Sequence, residues 1–385
     1  MKSTSFVLLA AILCISANSL AQPFDIGHTS IVFYDSDRNR DIETEIYYPA
    51  DSAGEEASVA LGNFPVIIFG HGFLMSWESY ENFWMELVPE GYVLCFPTTE
   101  MSFTPSHQDF GLDLQFVATQ MQNENEDISS LLFNALAPKT ALMGHSMGGG
   151  ASFLGAENEP TISTLINFAA AETNPSAISA ALDITIPTLI FSGNDDCVTP
   201  PDQNQSLMYS NLASDCKTHI RILNGGHCYF ADDDFNCTLG ESFCGSTLDI
   251  TREEQQAITF EFLKLWLNYS LNDDNNALID FNDSLQSSTQ IDFSQSCNTT
   301  SVQDLAIISD PILYPNPATD ELRITISKEI TGGILFIYDL MGRQVYQDRI
   351  VKTNDQIDLS NIARGTYLLI YSKDTFNYSR RLLKL

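Results

Sequence analysis

The sequence predicts an α/β fold, a mostly parallel sheet with helices on both faces, followed by a small C-terminal β-sandwich. Three observations carry that prediction. Between Asp25 and Tyr269, short apolar runs alternate with longer stretches of helical texture, as expected of strands buried on both faces of a layered domain. From Ile312 onward the texture changes to short alternating segments separated by glycine turns, the pattern of a small antiparallel unit. Charge divides at the same place. The chain carries 18 basic and 50 acidic residues, yet ten of each lie between Gln303 and Leu385, so the whole excess of −32 belongs to the first 302 residues.

The chain is 385 residues long, which fits two to three domains. With 44% hydrophobic and 11% aromatic residues, it is too apolar for an acidic disordered protein. Its negative charge would repel a phosphate backbone, which argues against nucleic acid as a partner.

Taken in order, Met1 to Ala21 reads as a secretory signal peptide. Lys2 supplies the positive end, Phe6 to Ile15 the apolar stretch, and Ser19-Leu20-Ala21 the cleavage site,. That stretch is about half of the ~20 residues needed to span a bilayer, and no later segment is long and apolar enough to be transmembrane. Strands are expected at 30–34, 44–48, 65–69, 92–96, 140–143, 164–168, 187–191 and 218–223, each bounded by Gly, Pro or polar clusters,. Helices are expected between them at 80–88, 107–121, 147–157, 202–212 and 253–269. Two leading strands followed by strand–helix repeats imply the parallel sheet. The expected domains are therefore 22–270 and 311–385. Residues 271–310, rich in Asn, Asp, Ser and Thr, read as a linker with little packed structure.

Eight cysteines suit an exported chain,. Cys14 lies in the leader, and Cys95, inside an apolar run, reads as a buried free thiol. Cys197, Cys216, Cys228, Cys237, Cys244 and Cys297 read as disulfide partners, with a connectivity that spacing alone does not give.

The sharpest local feature is Gly144-His145-Ser146-Met147-Gly148, with Gly149 and Gly150 behind it. A serine on a tight strand-to-helix turn needs glycine on both flanks, because the strained backbone passes close to its neighbours. Such a turn lifts the hydroxyl above the sheet, so Ser146 is the candidate nucleophile. An acid and then a histidine should follow in the chain. His219 sits within a strand, whereas His227 follows Asn224-Gly225-Gly226 on a loop at a strand's carboxyl end, where catalytic groups collect. His227 is therefore the candidate base. Asp196 is the favoured acid, with Asp195 as its rival. Cys197 and Cys228 directly follow the proposed acid and base, and a bond between them is expected to pin the two loops together.

The chemistry assigns the roles. His227 takes the Ser146 proton during attack on a carbonyl and returns it to the leaving group, while Asp196 orients the imidazole. Activity is expected to fall in acid as His227 becomes protonated. Two N–H donors must meet the oxyanion: Met147, just after the nucleophile, and Phe73, in the loop Gly70-His71-Gly72-Phe73. His71 and His145 fit turn-packing roles. Phe73, Trp77 and Tyr229 are the tentative substrate contacts, Phe230 is another aromatic near the loops, and Trp84 reads as helix core. Asp232-Asp233-Asp234 reads as a solvated loop, with calcium as the rival reading.

In these motifs, residues 25–270 resemble the α/β-hydrolase superfamily. More narrowly, Gly144–Gly150, Pro187–Phe191 and Asn224–His227 resemble bacterial lipases and cutinase-like polyester hydrolases. Those polyester hydrolases usually place Trp before the nucleophile and another after the next strand, where this chain has His145 and the Trp-free stretch 168–173. The resemblance implies a serine carboxylic ester hydrolase; the acidic charge fits a neutral ester substrate, and no cofactor, no required metal and a monomeric state are expected. A lipase or polyester hydrolase is the alternative within that class. A serine peptidase, or a non-catalytic surface binding protein that keeps the hydrolase shell, is the alternative outside it. The tail is similar to the type A sorting domain of the type IX secretion machinery. It carries Tyr314-Pro315-Asn316-Pro317, Ile337-Tyr338-Asp339, Met341-Gly342-Arg343, Ile357-Asp358-Leu359 and Gly365-Thr366-Tyr367-Leu368 in the family's order. That resemblance implies export across an outer membrane, to the surface or medium, and removal of 311–385. The chain between the leader and Val302 would then carry −33, which favours solubility and neutral substrates.

Overall fold

The computed structural model describes residues 23–245, 248–297, 312–326, 331–339, 342–373 and 376–385. The expected leader (1–21), residues 298–310 of the expected linker, and Met341 lie outside them. The described chain divides into two compact units, the first ending at Cys297.

The first unit opens with β1 (Asp25–Asp35), β2 (Arg40–Ala50) and the two-residue β3 (Gly54–Glu55). Strands and helices then alternate: β4 (Phe64–Gly70), α1 (Glu81–Leu87), β5 (Val93–Pro97), α2 (His107–Glu126), β6 (Leu136–His145), α3 (Ser146–Ala156), β7 (Ile162–Phe168) and α4 (Ala177–Ala180). After these come β8 (Thr188–Gly193), α5 (Gln205–Asn211), β9 (Cys216–Ile222), α6 (Phe235–Glu241), α7 (Arg252–Asn272), α8 (Asn275–Ser287) and β10 (Ile291–Cys297). All ten strands form one sheet in the order β10-β9-β8-β7-β6-β4-β5-β2-β1-β3. Strands β4 to β9 run parallel, while β2 and β10 flank them antiparallel.

Strand alternation sends neighbouring side chains to opposite faces. In β4, Ile67 and Phe69 join a core with residues of α1, α7 and α8, whereas Val66 and Ile68 join a second core with residues of α2, α3 and α5. Cys95 is a buried free thiol in that second core. A capping box opens α7, with Thr251 and Glu254 satisfying each other's backbone N–H groups,.

The expected linker needs correction. Residues 271–297 are folded into the first unit. Asp274 caps α8, and Ala277, Leu278, Phe281 and Leu285 form a buried stripe at helical spacing,. Phe281 packs on Phe262 and Trp266 of α7. β10 then pairs with β9 along its whole length, from Ile291–Ile222 to Cys297–Cys216, and a disulfide joins the last pair. The Asn, Asp and Ser content that suggested a loop lies mainly on the exposed faces of these elements.

In the second unit, β11 (Ile312–Tyr314), β12 (Glu321–Thr325) and β15 (Asn354–Asp358) form one antiparallel sheet. β13 (Gly333–Asp339), β14 (Gln344–Ile350), β16 (Gly365–Lys373) and β17 (Phe376–Lys384) form another. Leu322 and Ile324 of the first share one apolar core with Leu335, Ile337, Leu369 and Tyr371 of the second, which makes the unit a small β-sandwich.

Candidate active site

β6 ends at His145, and the chain turns at once into α3. Ser146 sits on that turn at φ +55°, a left-handed conformation that costs energy for any residue with a Cβ. Tight packing imposes it. A Cβ at Gly144 would overlap the Gly148 carbonyl, and one at Gly148 would overlap the carbonyl of Gly70 in β4. The Ser146 carbonyl accepts the Ala171 N–H (2.9 Å) from the segment after β7. Ser146 is thereby held at the carboxyl edge of the sheet with only 9% of its surface exposed.

His227, on the loop after β9, turns its Nε2 to the Ser146 hydroxyl at 2.9 Å and its Nδ1 to Asp196 Oδ2 at 2.8 Å. Asp196 follows β8 and is buried. Its Oδ1 accepts the backbone N–H groups of Val198 and Thr199, both at 2.8 Å, and Thr199 Oγ1 lies 2.8 Å from Oδ2. Burial alone would raise the Asp196 pKa, but His227 and the Thr199 hydrogen bonds outweigh it, and the carboxyl stays below its ordinary range,. The anion therefore persists wherever His227 could act. The three residues named from sequence are brought together. Asp195 is exposed, with its carboxylate 3.4 Å from Asn194 Nδ2.

Met147 is buried at the start of α3. Phe73 occupies a turn closed by a Met75 N–H to Gly72 O bond of 3.1 Å, and the residue is 43% exposed. His71 packs beneath that turn, its ring between the carbonyls of Gly72 and Thr99. Tyr229 is half-buried beneath the Arg252 guanidinium and lines a cleft of about 390 Å³ with Asp195, Glu241 and Leu248. Trp77 lies elsewhere. Its indole donates to Tyr47 of β2 (3.2 Å), and no hydrogen bond or ring contact joins it to the triad among the described residues. Trp84 and Phe230 are core. The carboxylates of 232–234 each meet protein partners: Asp232 meets the Asn82 N–H, Asp233 meets Arg252 and the Thr238 hydroxyl, and Asp234 meets the Ser79 hydroxyl and the α6 N-terminus.

The expected Cys197–Cys228 bond is not formed. Cys197 pairs with Cys244 and Cys228 with Cys237, each with a Cα–Cα separation of 5.7 Å, well inside disulfide range. Both sulfurs bond instead to a third segment, α6 and the 3-10 turn Ser242–Cys244. That segment also holds the His227 N–H through Glu241 Oε1 (2.6 Å) and the Leu74 carbonyl through Asn236 (2.8 Å). It thus touches the loops of Asp196, His227 and Phe73 at once. Sequence reasoning missed α6, Glu241 and Thr199. Only Thr199 left a signal, the Asp-x-x-Thr spacing at which a carboxylate captures the backbone ahead of it.

Two further histidines, His145 beside His227 and His219 within β9, are buried and neutral. Burial pushes the pKa of His145 to about 3, helped by the neighbouring His227, and that of His219 to about 3, helped by Arg221. The unfolded chain takes up these protons near the ordinary histidine value while the folded chain does not, so stability is full above that value and falls as pH drops toward 3. Each should add to the loss in that window. The urea midpoint should fall steadily from pH 6.5 to pH 4; an unchanged midpoint would contradict the neutral, buried state of both rings.

A serine on a strained strand-to-helix turn, joined through histidine to a carboxylate at the carboxyl edge of a parallel sheet, places the protein among the α/β-hydrolase folds. Residues 19–244 match the family described as PET hydrolase-like, and the chain belongs to that family. Residues 312–384 match the secretion system C-terminal sorting domain. Over 116 residues the chain is 33% identical to Cutinase est1 of Thermobifida alba, an alignment that covers 30% of this chain and 37% of that protein.

Proposed function

We propose that the protein is an exported serine hydrolase that cleaves neutral carboxylic esters through an acyl-enzyme. The observation that carries this reading is the unbroken hydrogen-bonded line from Ser146 through His227 to Asp196. Ser146 Oγ attacks the carbonyl carbon as its proton passes to His227 Nε2, and the oxyanion is met by the N–H groups of Met147 and Phe73. The carbon–oxygen bond to the leaving alcohol then breaks as Nε2 returns the proton. Water, deprotonated by the same nitrogen, releases the acid and frees Ser146. Asp196, anionic throughout, stabilises the transient imidazolium. The sorting domain would direct the chain through an outer-membrane export route and be removed, leaving a strongly acidic, monomeric enzyme.

Polyesters are the finer substrate reading. They are favoured by the family description, by the cutinase relative, and by the exposed Phe73 on the loop held by Asn236. The test is a comparison of turnover on a short acyl ester, its matched amide and a polyester film. The ester should be cleaved and the amide left intact, with activity falling in acid. Amide cleavage at a comparable rate would point to a peptidase, and an inert protein would sink the enzymatic reading. Soluble products from the film would extend the substrate to polymers.

A further inference from the structure

Two buried groups outside the triad, the Tyr80 hydroxyl and the His145 ring, connect the turn at Gly72 to the backbone of His227. We infer that this line of hydrogen bonds is a positioning device, one that sets the Phe73 loop and the base at a fixed separation across the nucleophile. The inference rests on the ester-hydrolase reading above and adds residues to it.

Its parts are few and their directions are determined. The Gly72 N–H donates to the Tyr80 hydroxyl at 2.7 Å. That hydroxyl lies 3.0 Å from His145 Nδ1, and His145 Nε2 lies 3.0 Å from the His227 carbonyl oxygen. A carbonyl only accepts, so Nε2 carries the hydrogen. A neutral imidazole then has Nδ1 as a bare acceptor, and the Tyr80 hydroxyl is the donor that faces it,. The Tyr80 hydroxyl also lies 3.5 Å from Met75 Sδ, a weak acceptor,, so with Nε2 donating to the His227 carbonyl the bare Nδ1 is the stronger acceptor for its hydrogen. Tyr80 and His145 are fully buried and His227 nearly so, so water does not compete for these bonds. A satisfied buried network of this kind fixes one geometry and penalises displacement of any member.

The line spans the site. Gly72 immediately precedes Phe73, His145 immediately precedes Ser146, and the far end is the base itself. Tyr80 is seated independently by its ring, which packs on Phe69 at a 4.7 Å centroid distance. Removing its oxygen should therefore leave the ring in place while freeing the Gly72 turn and the His145 tautomer.

Tyr80→Phe tests the assignment. Turnover of a short ester should be measured per active site, the sites being counted by fluorophosphonate titration below the variant's unfolding temperature. A slightly misplaced donor can cost up to about a hundredfold in rate, so an intermediate loss is expected: kcat per titrated site about tenfold lower and KM within about twofold. A purely structural role would lower the number of titratable sites and leave kcat per site unchanged, which would overturn the inference. His145→Phe breaks the same line, so the double variant should lose no more than His145→Phe alone; losses that multiply would also overturn it. The wild-type protein gives a check that needs no variant. Ring nitrogen NMR should find His145 protonated at Nε2 only, from pH 5 to pH 8. A ring protonated at Nδ1, or titrating near neutrality, contradicts the line directly. Wild-type turnover separates the two readings: without it both fall, and with it an unchanged Tyr80→Phe defeats the positioning role alone.

Discussion

Ser146→Ala is expected to lower ester turnover by about a millionfold, the scale on which a triad serine fails when removed. The size follows from the arrangement. His227 Nε2 has the Ser146 hydroxyl at 2.9 Å as its target, and alanine leaves it nothing to activate. What remains would come from the oxyanion donors and from binding, roughly 10³ to 10⁴ over water. A fluorophosphonate should label the wild-type protein once and the variant not at all. Equal labelling of Ser146→Ala would place the nucleophile elsewhere and remove the basis of the proposed function.

Asp196→Asn is expected to cost about 10⁴ in kcat, for a reason set by the loop itself. Oδ1 accepts two backbone N–H groups, from Val198 and Thr199. An asparagine must therefore put its carbonyl oxygen there and turn its amide nitrogen toward His227 Nδ1. Facing a donor, Nδ1 becomes the acceptor and the ring proton moves to Nε2, where it blocks the Ser146 hydroxyl. Asp195→Asn, one residue away and exposed, should change kcat by less than about twofold, as surface substitutions away from such features usually do. Steady-state rates on one short ester check both variants. Comparable losses in the two, or a loss under a hundredfold in Asp196→Asn, would defeat the assignment of Asp196 as the acid.

Much of this was legible in the residues. The eight expected strands all occur, and the central ones, such as β4, β5 and β8, were plainest because a strand buried on both faces must be apolar throughout and glycine or proline punctuates its ends,. Ser146 and His227 were legible because their glycine flanks record backbone demands of the turns that carry them. The polar segment after Asn272 was misread because helix α8 buries only a narrow stripe, so average composition hid it. The disulfide pairing was illegible for a different reason: Cys197 and Cys228 lie next to residues that do meet, and chain neighbours of a contact need not themselves touch. Tyr80 and Glu241 left no sequence signal, since each acts on a partner distant in the chain and brought close only by the fold.

The disulfide at the last pair of β9 and β10 has a mechanical consequence. An antiparallel edge strand pulled from its free end peels away one hydrogen-bonded pair at a time. Here the pair at that end is Cys216 and Cys297, joined covalently. Tension arriving from the chain beyond residue 297 therefore passes straight into β9, which is hydrogen-bonded to strands on both sides, and must shear it rather than unzip it. The loop that carries His227 begins at the other end of β9. Cutting the chain after Cys297 leaves the Cys216–Cys297 pair and β9 in place, while a pull on the tail enters β9 at the end away from that loop.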